Sequence, residues 1–189
     1  MLDKSVPHVS FLMRRPKGSP VPEYKLPAGY KFALYKPGDE GAWAAVETSV
    51  LEFESEAEAL EYFNREFAPH LEALKQRCLF VEHNGEKVAT CTAWWCCPER
   101  CLPRLHWVAA KPDYQGLGLG KAIVSECTRR MISLDGDVDF FLSTQTGSHR
   151  AVKIYAKFGY AVTGEKKICR DKNENHEQAL AVLRQIYGE

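Results

Sequence analysis

The stretch Val108-Ala-Ala-Lys-Pro-Asp-Tyr-Gln-Gly-Leu-Gly-Leu-Gly-Lys121 joins an apolar run to three alternating glycines. The apolar residues 105–110 predict a β-strand, and Pro112 with Asp113 predicts the turn that ends it. The residues after the glycines have helical periodicity. The first turn of a helix has N–H groups without partners and a partial positive charge, and glycines let a phosphate approach those groups. The stretch therefore predicts a site for a phosphorylated cofactor.

Two nucleotide-binding patterns fit this stretch poorly. The dinucleotide fingerprint has glycines at its first, third and sixth positions, and counting from Gly116 places Lys121 at the sixth. Asp137 and Asp139 lie about where a ribose-binding acid would stand, so this alternative is weakened and stays open. The P-loop pattern requires Ser or Thr after its lysine, and Ala122 stands there.

A third pattern fits better. Residues 115–120 resemble the (Gln/Arg)-x-x-Gly-x-(Gly/Ala) signature of the GCN5-related N-acetyltransferases, which holds the pyrophosphate of acetyl-coenzyme A. Residues 148–160 resemble that family's second motif, Asn-x-x-Ala-x-x-x-Tyr-x-x-x-Gly-(Phe/Tyr), with Ser148 in place of Asn. The matching positions of the second motif are Ala151, Tyr155, Gly159 and Tyr160. The order and spacing of the two motifs are more specific than either motif alone.

The resemblance implies an α/β fold: a mixed, mostly antiparallel sheet with a splayed central strand pair and flanking helices. It implies direct transfer of an acetyl group from acetyl-coenzyme A to a primary amine of an unidentified small-molecule or peptide acceptor. The alternative is a non-catalytic sensor or interaction module that binds acyl-coenzyme A. The residues expected to bind the cofactor are Val108, Ala110, Gln115, Gly116, Leu117, Gly118, Leu119, Gly120, Lys121 and Ser148.

The resemblance also assigns catalytic roles. It makes Tyr155 the proton donor to the departing thiolate, although this residue could instead be a core aromatic. His106 is a candidate general base because its ordinary pKa is near neutral, and the alternative is a strand histidine on the opposite face with no part in the chemistry. Strand alternation places His106 and Val108 on the same face, which does not decide between the two. Glu47 and Glu52 are rival bases, and a water relay is a further alternative.

Glutamates are frequent between residues 47 and 66, and they could attract a cationic amine. A solvated helix face is the alternative explanation for such a run of charge. A cysteine cluster follows, made of Cys91, Cys96, Cys97 and Cys101. Its spacing lacks paired C-x-x-C units, so we expect strand and loop thiols and no metal site.

The whole chain limits the class of protein. Its 189 residues suit one domain, and we predict an irregular N-terminal arm over residues 1–25 and a single acetyltransferase domain over 26–189. The 25 basic and 25 acidic residues balance, which disfavours a nucleic-acid surface. No apolar run is long enough to span a bilayer, and seven cysteines without a secretion signal predict a cytoplasmic protein with no membrane partner. A homodimer is possible.

The local patterns predict the order of the elements. Asp39 and Ser55 are candidate caps for two helices, and Asn84-Gly85 predicts a hairpin turn. Ser148 is expected to cap a short helix that ends at Gly159. Residues 160–162 and 167–169 are predicted to pair as the final strands, before a last helix over 175–187.

Overall fold

A seven-stranded, mostly antiparallel sheet forms the centre of the protein in the computed structural model, which describes residues 2–95, 102–168 and 171–188. The strands are β1 (Ser10–Arg15), β2 (Tyr30–Leu34), β3 (Cys78–His83), β4 (Glu86–Trp95), β5 (Pro103–Ala110), β6 (Phe140–Gln145), β7 (Ala161–Val162), β8 (Lys167–Ile168) and β9 (Asp171–Lys172). The helices are α1 (Glu40–Ser49), α2 (Glu56–Glu66), α3 (Leu71–Arg77), α4 (Leu119–Asp135), α5 (His149–Ala156) and α6 (His176–Tyr187). The predicted fold class is confirmed.

The centre of the sheet is splayed. The strand order is β2-β3-β4-β5-β6-β1-β7, and β5 and β6 are the parallel neighbours in it. They share a single ladder pair within the described residues, Arg104 opposite Phe141. Beyond this pair the two strands separate, as the predicted fold class requires. The peptide groups of β5 that face β6 therefore border an opening in the sheet.

The prediction of an irregular N-terminal arm is wrong for residues 10–15. These residues form β1, which lies between β6 and β7 in the interior of the sheet. Phe11 and Met13 alternate as buried apolar side chains, as expected of a strand. Arg15 obscures that pattern because it is charged yet fully buried, where it pairs with Asp137 at 3.2 Å and covers the Phe140 ring.

Two of the end-of-chain and capping predictions also need correction. Residues 161–162 pair with β1, and β8 pairs with β9, so the predicted pairing with 160–162 is wrong for residues 167–168. Cys169 lies outside the described residues. Ser55 caps α2 as predicted, accepting a hydrogen bond from the N–H of Glu58. Asp39 stands at the start of α1 without capping it, because its carboxylate accepts from the N–H of Lys36 at 2.9 Å instead.

Helices cover both faces of the sheet. An aromatic core lies beneath the helices that connect β2 to β3, and its buried members include Trp43, Phe63, Phe67, Phe80 and Trp94. A larger aliphatic core lies on the other face, beneath α4, α5 and α6. None of the helices in the described ranges is long and apolar enough to cross a membrane. The opening between β5 and β6 connects the two faces.

Candidate active site

The glycine loop forms an open cradle at the start of α4. Gly116 and Gly118 have φ angles of 81° and 84°, a region that strains other residues. A Cβ added to either glycine would meet no atom within 4 Å, so open space faces the loop. The first helical hydrogen bond runs from the N–H of Ala122 to the Gly118 carbonyl at 3.1 Å. The preceding N–H groups of the helix are therefore available to an anion, and the first turn of α4 contains no acidic residue.

The side chain of Gln115 fastens this loop to β5. Its amide donates a hydrogen bond to the Ala110 carbonyl at 2.8 Å, so the amide is occupied within the chain. Alongside the loop runs a cavity of about 440 Å³. The predicted cofactor residues that line it are Val108, Ala110, Gln115, Gly116, Gly118, Leu119, Gly120, Lys121 and Ser148. Leu117 does not line the cavity and is 47% exposed.

A β-bulge changes the direction of side chains along β5. The register shifts so that His106 pairs with Thr92 while Ala109 pairs with Thr90, which leaves one extra residue on β5. Trp107 lies in this bulge with a φ of 48°. Its ring stacks on Phe53, with ring centroids 5.0 Å apart, so the aromatic core supports the strained backbone.

The bulge overturns the predicted shared face of His106 and Val108. His106 contacts Tyr62 and Phe67 in the aromatic core, whereas Val108 packs against the aliphatic core. The alternation argument fails because it assumes a regular strand, and the extra residue of the bulge shifts the alternation by one.

A second cavity, of about 240 Å³, occupies the opening between β5 and β6. Its walls include residues 104–108 of β5, residues 142–145 of β6, and side chains from α1, α5 and the segment before β1. Four residues line both cavities: Glu52, Val108, Ser148 and Ala151. The two cavities therefore adjoin at the bulge, and together they form one cleft through the sheet.

Tyr155 lies at the inner wall of the smaller cavity. It stands on α5 and is 6% exposed. Burial raises the pKa of its hydroxyl, and nearby Cys91, Glu52 and Glu47 raise that pKa further. The hydroxyl therefore keeps its proton at neutral pH, as a proton donor must.

Glu47 brings a buried carboxyl to the same cavity. The residue is 1% exposed, and its Oε1 atom has no hydrogen-bond partner within the part of the chain that is described. Burial raises the pKa of Glu47 well above 4.5, and the charge of Glu52 adds to that effect. Glu52 lies at the exposed mouth of the cleft, where desolvation of its carboxyl raises its pKa as well. These two are the only glutamates of the glutamate-rich segment that line either described cavity.

His106 lies farther into the aromatic core than the sequence indicates. Its Nε2 atom is 3.1 Å from the hydroxyl of Tyr62, and its ring contacts Phe67 and Trp107. Burial lowers the pKa of His106 well below 6.5, and the charge of Arg104 lowers it further. The imidazole is therefore neutral at physiological pH.

The remaining predicted positions have mixed outcomes. Ser148 precedes α5 but makes no side-chain capping bond, so the prediction that it caps this helix is wrong. Cys91 is buried in β4, where burial raises the pKa of its thiol. Cys96, Cys97 and Cys101 lie outside the described residues. Sequence reasoning missed Arg104 and Gln145 as cavity residues because neither belongs to a motif.

Comparison with known proteins agrees with this geometry. The model of the Acetyltransferase (GNAT) family matches residues 42–160. This range includes both sequence motifs and the four residues that line both cavities. The chain belongs to the GNAT family of acetyltransferases. No curated protein matches this GNAT chain.

Solved structures share the fold at low sequence identity. A GCN5-related N-acetyltransferase from Sphaerobacter thermophilus is 21% identical with a TM-score of 0.66, over 84% of this chain and 49% of that one. A GNAT-family acetyltransferase from Colwellia psychrerythraea is 12% identical with a TM-score of 0.62, over 83% and 54%. This chain thus spans about half the length of these two proteins.

A third structure was solved with bound ligands. It is a diaminobutyrate acetyltransferase from Paenibacillus lautus, in complex with L-2,4-diaminobutyric acid and coenzyme A. It is 11% identical to this chain with a TM-score of 0.52, over 67% of this chain and 72% of that one. At this identity the likeness concerns the fold alone.

Proposed function

We propose that the protein transfers an acetyl group from acetyl-coenzyme A directly to a primary amine. The observation that carries this proposal is the meeting of two cavities in the opening between β5 and β6. One cavity runs along a loop suited to phosphate, and the other brings titratable side chains together out of bulk water. Their shared boundary, at Val108, Ser148 and Ala151, is where an acyl group and an amine would meet.

The residues of the glycine loop fit the cofactor. Free N–H groups at the start of α4 suit a pyrophosphate, and Lys121 and Arg150 add positive charge to the same groove. Bound there, acetyl-coenzyme A supplies the acetyl group as a thioester. Val108 and Ala110 lie on the edge of β5 that faces the opening, and we assign them to the pantetheine arm. Backbone N–H groups at this edge suit the oxyanion that forms during acyl transfer.

We assign Tyr155 as the general acid. Its raised pKa keeps the hydroxyl protonated, and it lines the cavity in which the thiolate would depart. In the balanced reaction, the amine nitrogen forms a bond to the acetyl carbon and the C–S bond breaks. Before the attack the base takes one proton from the ammonium, because only the neutral amine has a lone pair. The sulfur then takes the proton of Tyr155, and the second proton that the nitrogen loses on becoming an amide restores the tyrosine hydroxyl.

For the base, the pKa directions favour a carboxylate over His106. Burial raises the pKa of Glu47 and lowers that of His106. A general base works best with a pKa near the operating pH, and these shifts bring Glu47 towards that pH and take His106 away from it. We therefore favour Glu47, with Glu52 at the mouth as the group that attracts the cation. His106 remains the rival, and its neutral imidazole is held by Tyr62.

The first experiment measures thiol release from acetyl-coenzyme A with a panel of primary amines, beside thermal shifts with acetyl-coenzyme A, NAD and ATP. We expect acetyl-coenzyme A to raise the melting temperature and thiol release to depend on the amine. Stabilisation without any amine-dependent release would instead identify a non-catalytic acyl-coenzyme A module. Stabilisation by NAD or ATP alone would overturn the cofactor assignment.

A matched pair of variants separates the two bases. Glu47→Gln should lower kcat by about 10²–10⁴-fold, the usual contribution of a general base. The increase in kcat with pH that accompanies deprotonation of the base should also disappear in this variant. His106→Gln should keep that increase. If instead His106→Gln lowers kcat and removes the pH dependence while Glu47→Gln keeps both, His106 is the base.

A further inference from the structure

Arg104 brings a positive charge to the far wall of the smaller cavity. It lies on β5 at the point where β5 leaves β6, opposite Phe141. One guanidinium nitrogen, Nη1, pairs with the carboxylate of Asp171 at 2.9 Å. The Nε atom is buried and has no hydrogen-bond partner within the described residues. The guanidinium is therefore held in place by Asp171 while one of its donors remains unused.

Several buried polar atoms that have no partner in the described ranges belong to residues that line this cavity. Besides Arg104 Nε, they are Glu47 Oε1, Gln145 Oε1 and the indole Nε1 of Trp107. Buried polar groups are normally hydrogen-bonded, so a group of four such atoms on the residues around one cavity indicates a ligand that completes some of them. The set holds a carboxyl, an amide oxygen and a guanidinium N–H, so it suits a ligand that has both a cationic and an anionic group.

Polar side chains of β1 and β6 line one side of the cavity. Ser10 lies opposite Gln145 on β1 and β6, and Ser143 lies two residues before Gln145 on the same face. All three residues line the cavity. Hydroxyl and amide groups of this kind can bind the polar backbone of a small ligand. The volume of about 240 Å³ is below the roughly 300–1,000 Å³ of pockets for drug-sized ligands.

We propose that the acceptor is a small zwitterionic amino acid, whose ammonium lies at Glu47 and whose carboxylate binds Arg104. This inference rests on the proposed acetyl transfer and names its substrate class. The ammonium meets the carboxyl beside the shared boundary with the cofactor groove, and the carboxylate meets the guanidinium at the opposite wall. Arginine is suited to this role because its planar donors match a carboxylate.

The charges of the cavity favour such a ligand over a polyamine. A polyamine would place a second cation near Arg104, whereas an amino acid places an anion there. A simple amine without a carboxylate would leave the buried Nε of Arg104 unpaired. The wild-type protein should therefore discriminate between amines by the presence of the carboxylate.

The test compares the twenty common L-amino acids with their carboxamides, using thiol release from acetyl-coenzyme A. The carboxamides keep the reacting amine and remove the negative charge. For the best acceptor, we expect kcat/KM for the acid to exceed that for its amide by at least tenfold. Equal values for the acid and the amide in the wild-type protein would overturn the proposal.

Variants then separate binding by Arg104 from its structural pairing with Asp171. Arg104→Gln should lower kcat/KM for the acid by more than for the amide, so that the ratio of the two falls towards one. Asp171→Asn keeps the guanidinium and a side-chain oxygen that can accept from it, so it should retain the preference for the acid. Equal losses for both acceptors in Arg104→Gln would assign Arg104 a structural role. Unchanged binding of acetyl-coenzyme A confirms that each variant is folded.

The two proposals fail in different ways. If simple amines and carboxamides are acetylated as well as acids, the acetyltransferase function stands and the amino-acid proposal is wrong. If acetyl-coenzyme A binds but no amine of any kind releases thiol, the acetyltransferase function itself is wrong.

Discussion

The buried carboxyl of Glu47 should make the protein less stable as the pH rises. Its pKa in the folded state lies well above 4.5, so between pH 4.5 and that pKa the folded protein binds more protons at this site than the unfolded chain does. The free energy of unfolding therefore falls as the pH rises through this window, by about 1.4 kcal/mol per pH unit. Glu47→Gln has the shape of the protonated carboxyl and does not titrate.

The variant should therefore become more stable relative to the wild-type protein at higher pH. Between pH 4.5 and the folded-state pKa of Glu47, the difference in the free energy of unfolding should grow by about 1.4 kcal/mol per pH unit in favour of Glu47→Gln. Urea titrations at pH 5, 6 and 7 measure it. The matched control is Glu61→Gln, which removes an exposed carboxylate from α2 and should show no such growth. Curves for Glu47→Gln and the wild-type protein that stay parallel across this range would refute the reasoning.

Three further predictions concern other positions. Tyr155→Phe should lower kcat by about 10²–10⁴-fold and leave the Kd of acetyl-coenzyme A within a few-fold, as measured by thiol release and calorimetry. Gly159→Ala should lower the free energy of unfolding by about 2–4 kcal/mol in urea, because Gly159 has a φ of 85° and its new Cβ would lie 2.6 Å from the Cβ of Ser19. Asp135→Ala should cost about 3–5 kcal/mol in the same assay, because it removes the two hydrogen bonds, of 2.9 and 2.6 Å, that the buried guanidinium of Arg77 donates to Asp135.

Controls distinguish these effects from general damage. Gly85→Ala has a similar positive φ but nothing within 4 Å of its Cβ, so it should cost only the backbone strain of about 1–2 kcal/mol. Arg14→Ala removes an ion pair with Asp139 in which the arginine side chain is 44% exposed, and it should cost less than about 1 kcal/mol. If Gly85→Ala costs as much stability as Gly159→Ala, close contact does not explain the loss at Gly159. If Arg14→Ala costs as much as Asp135→Ala, burial does not explain the loss at Asp135.

Local chemistry explains which elements could be predicted from the sequence. The hairpin at Asn84-Gly85 is confirmed, with φ angles of 50° and 83°, because this dipeptide tolerates the left-handed region that a two-residue turn needs. The capping serine of α2 is confirmed for a similar reason, since its hydroxyl accepts from the N–H three residues on. The open glycine loop before α4 was predictable because three alternating glycines between a strand and a helix are compatible with few other local structures.

Long-range contacts explain what the sequence did not reveal. β1 was missed because Arg15 looks like a surface residue, and its burial depends on Asp137 and Phe140, over 120 positions away. The bulge at Trp107 was missed because its support comes from aromatic rings of α1, α2 and the loop between them. Arg104 was missed as a ligand candidate because its surroundings depend on where β5 leaves β6.

The same features that weaken the fold define the cleft. The bulge at Trp107 holds a strained backbone at a cost of about 1–3 kcal/mol, and Glu47 keeps an unpartnered carboxyl out of water. Trp107 and Glu47 both line the smaller cavity, so the residues that carry a local cost to stability are also residues that form the site. Glu47→Gln combines both consequences, since the same substitution should stabilise the protein above pH 5 and impair acetyl transfer. A variant that gained stability and kept its full rate would show that the buried carboxyl has no part in the reaction.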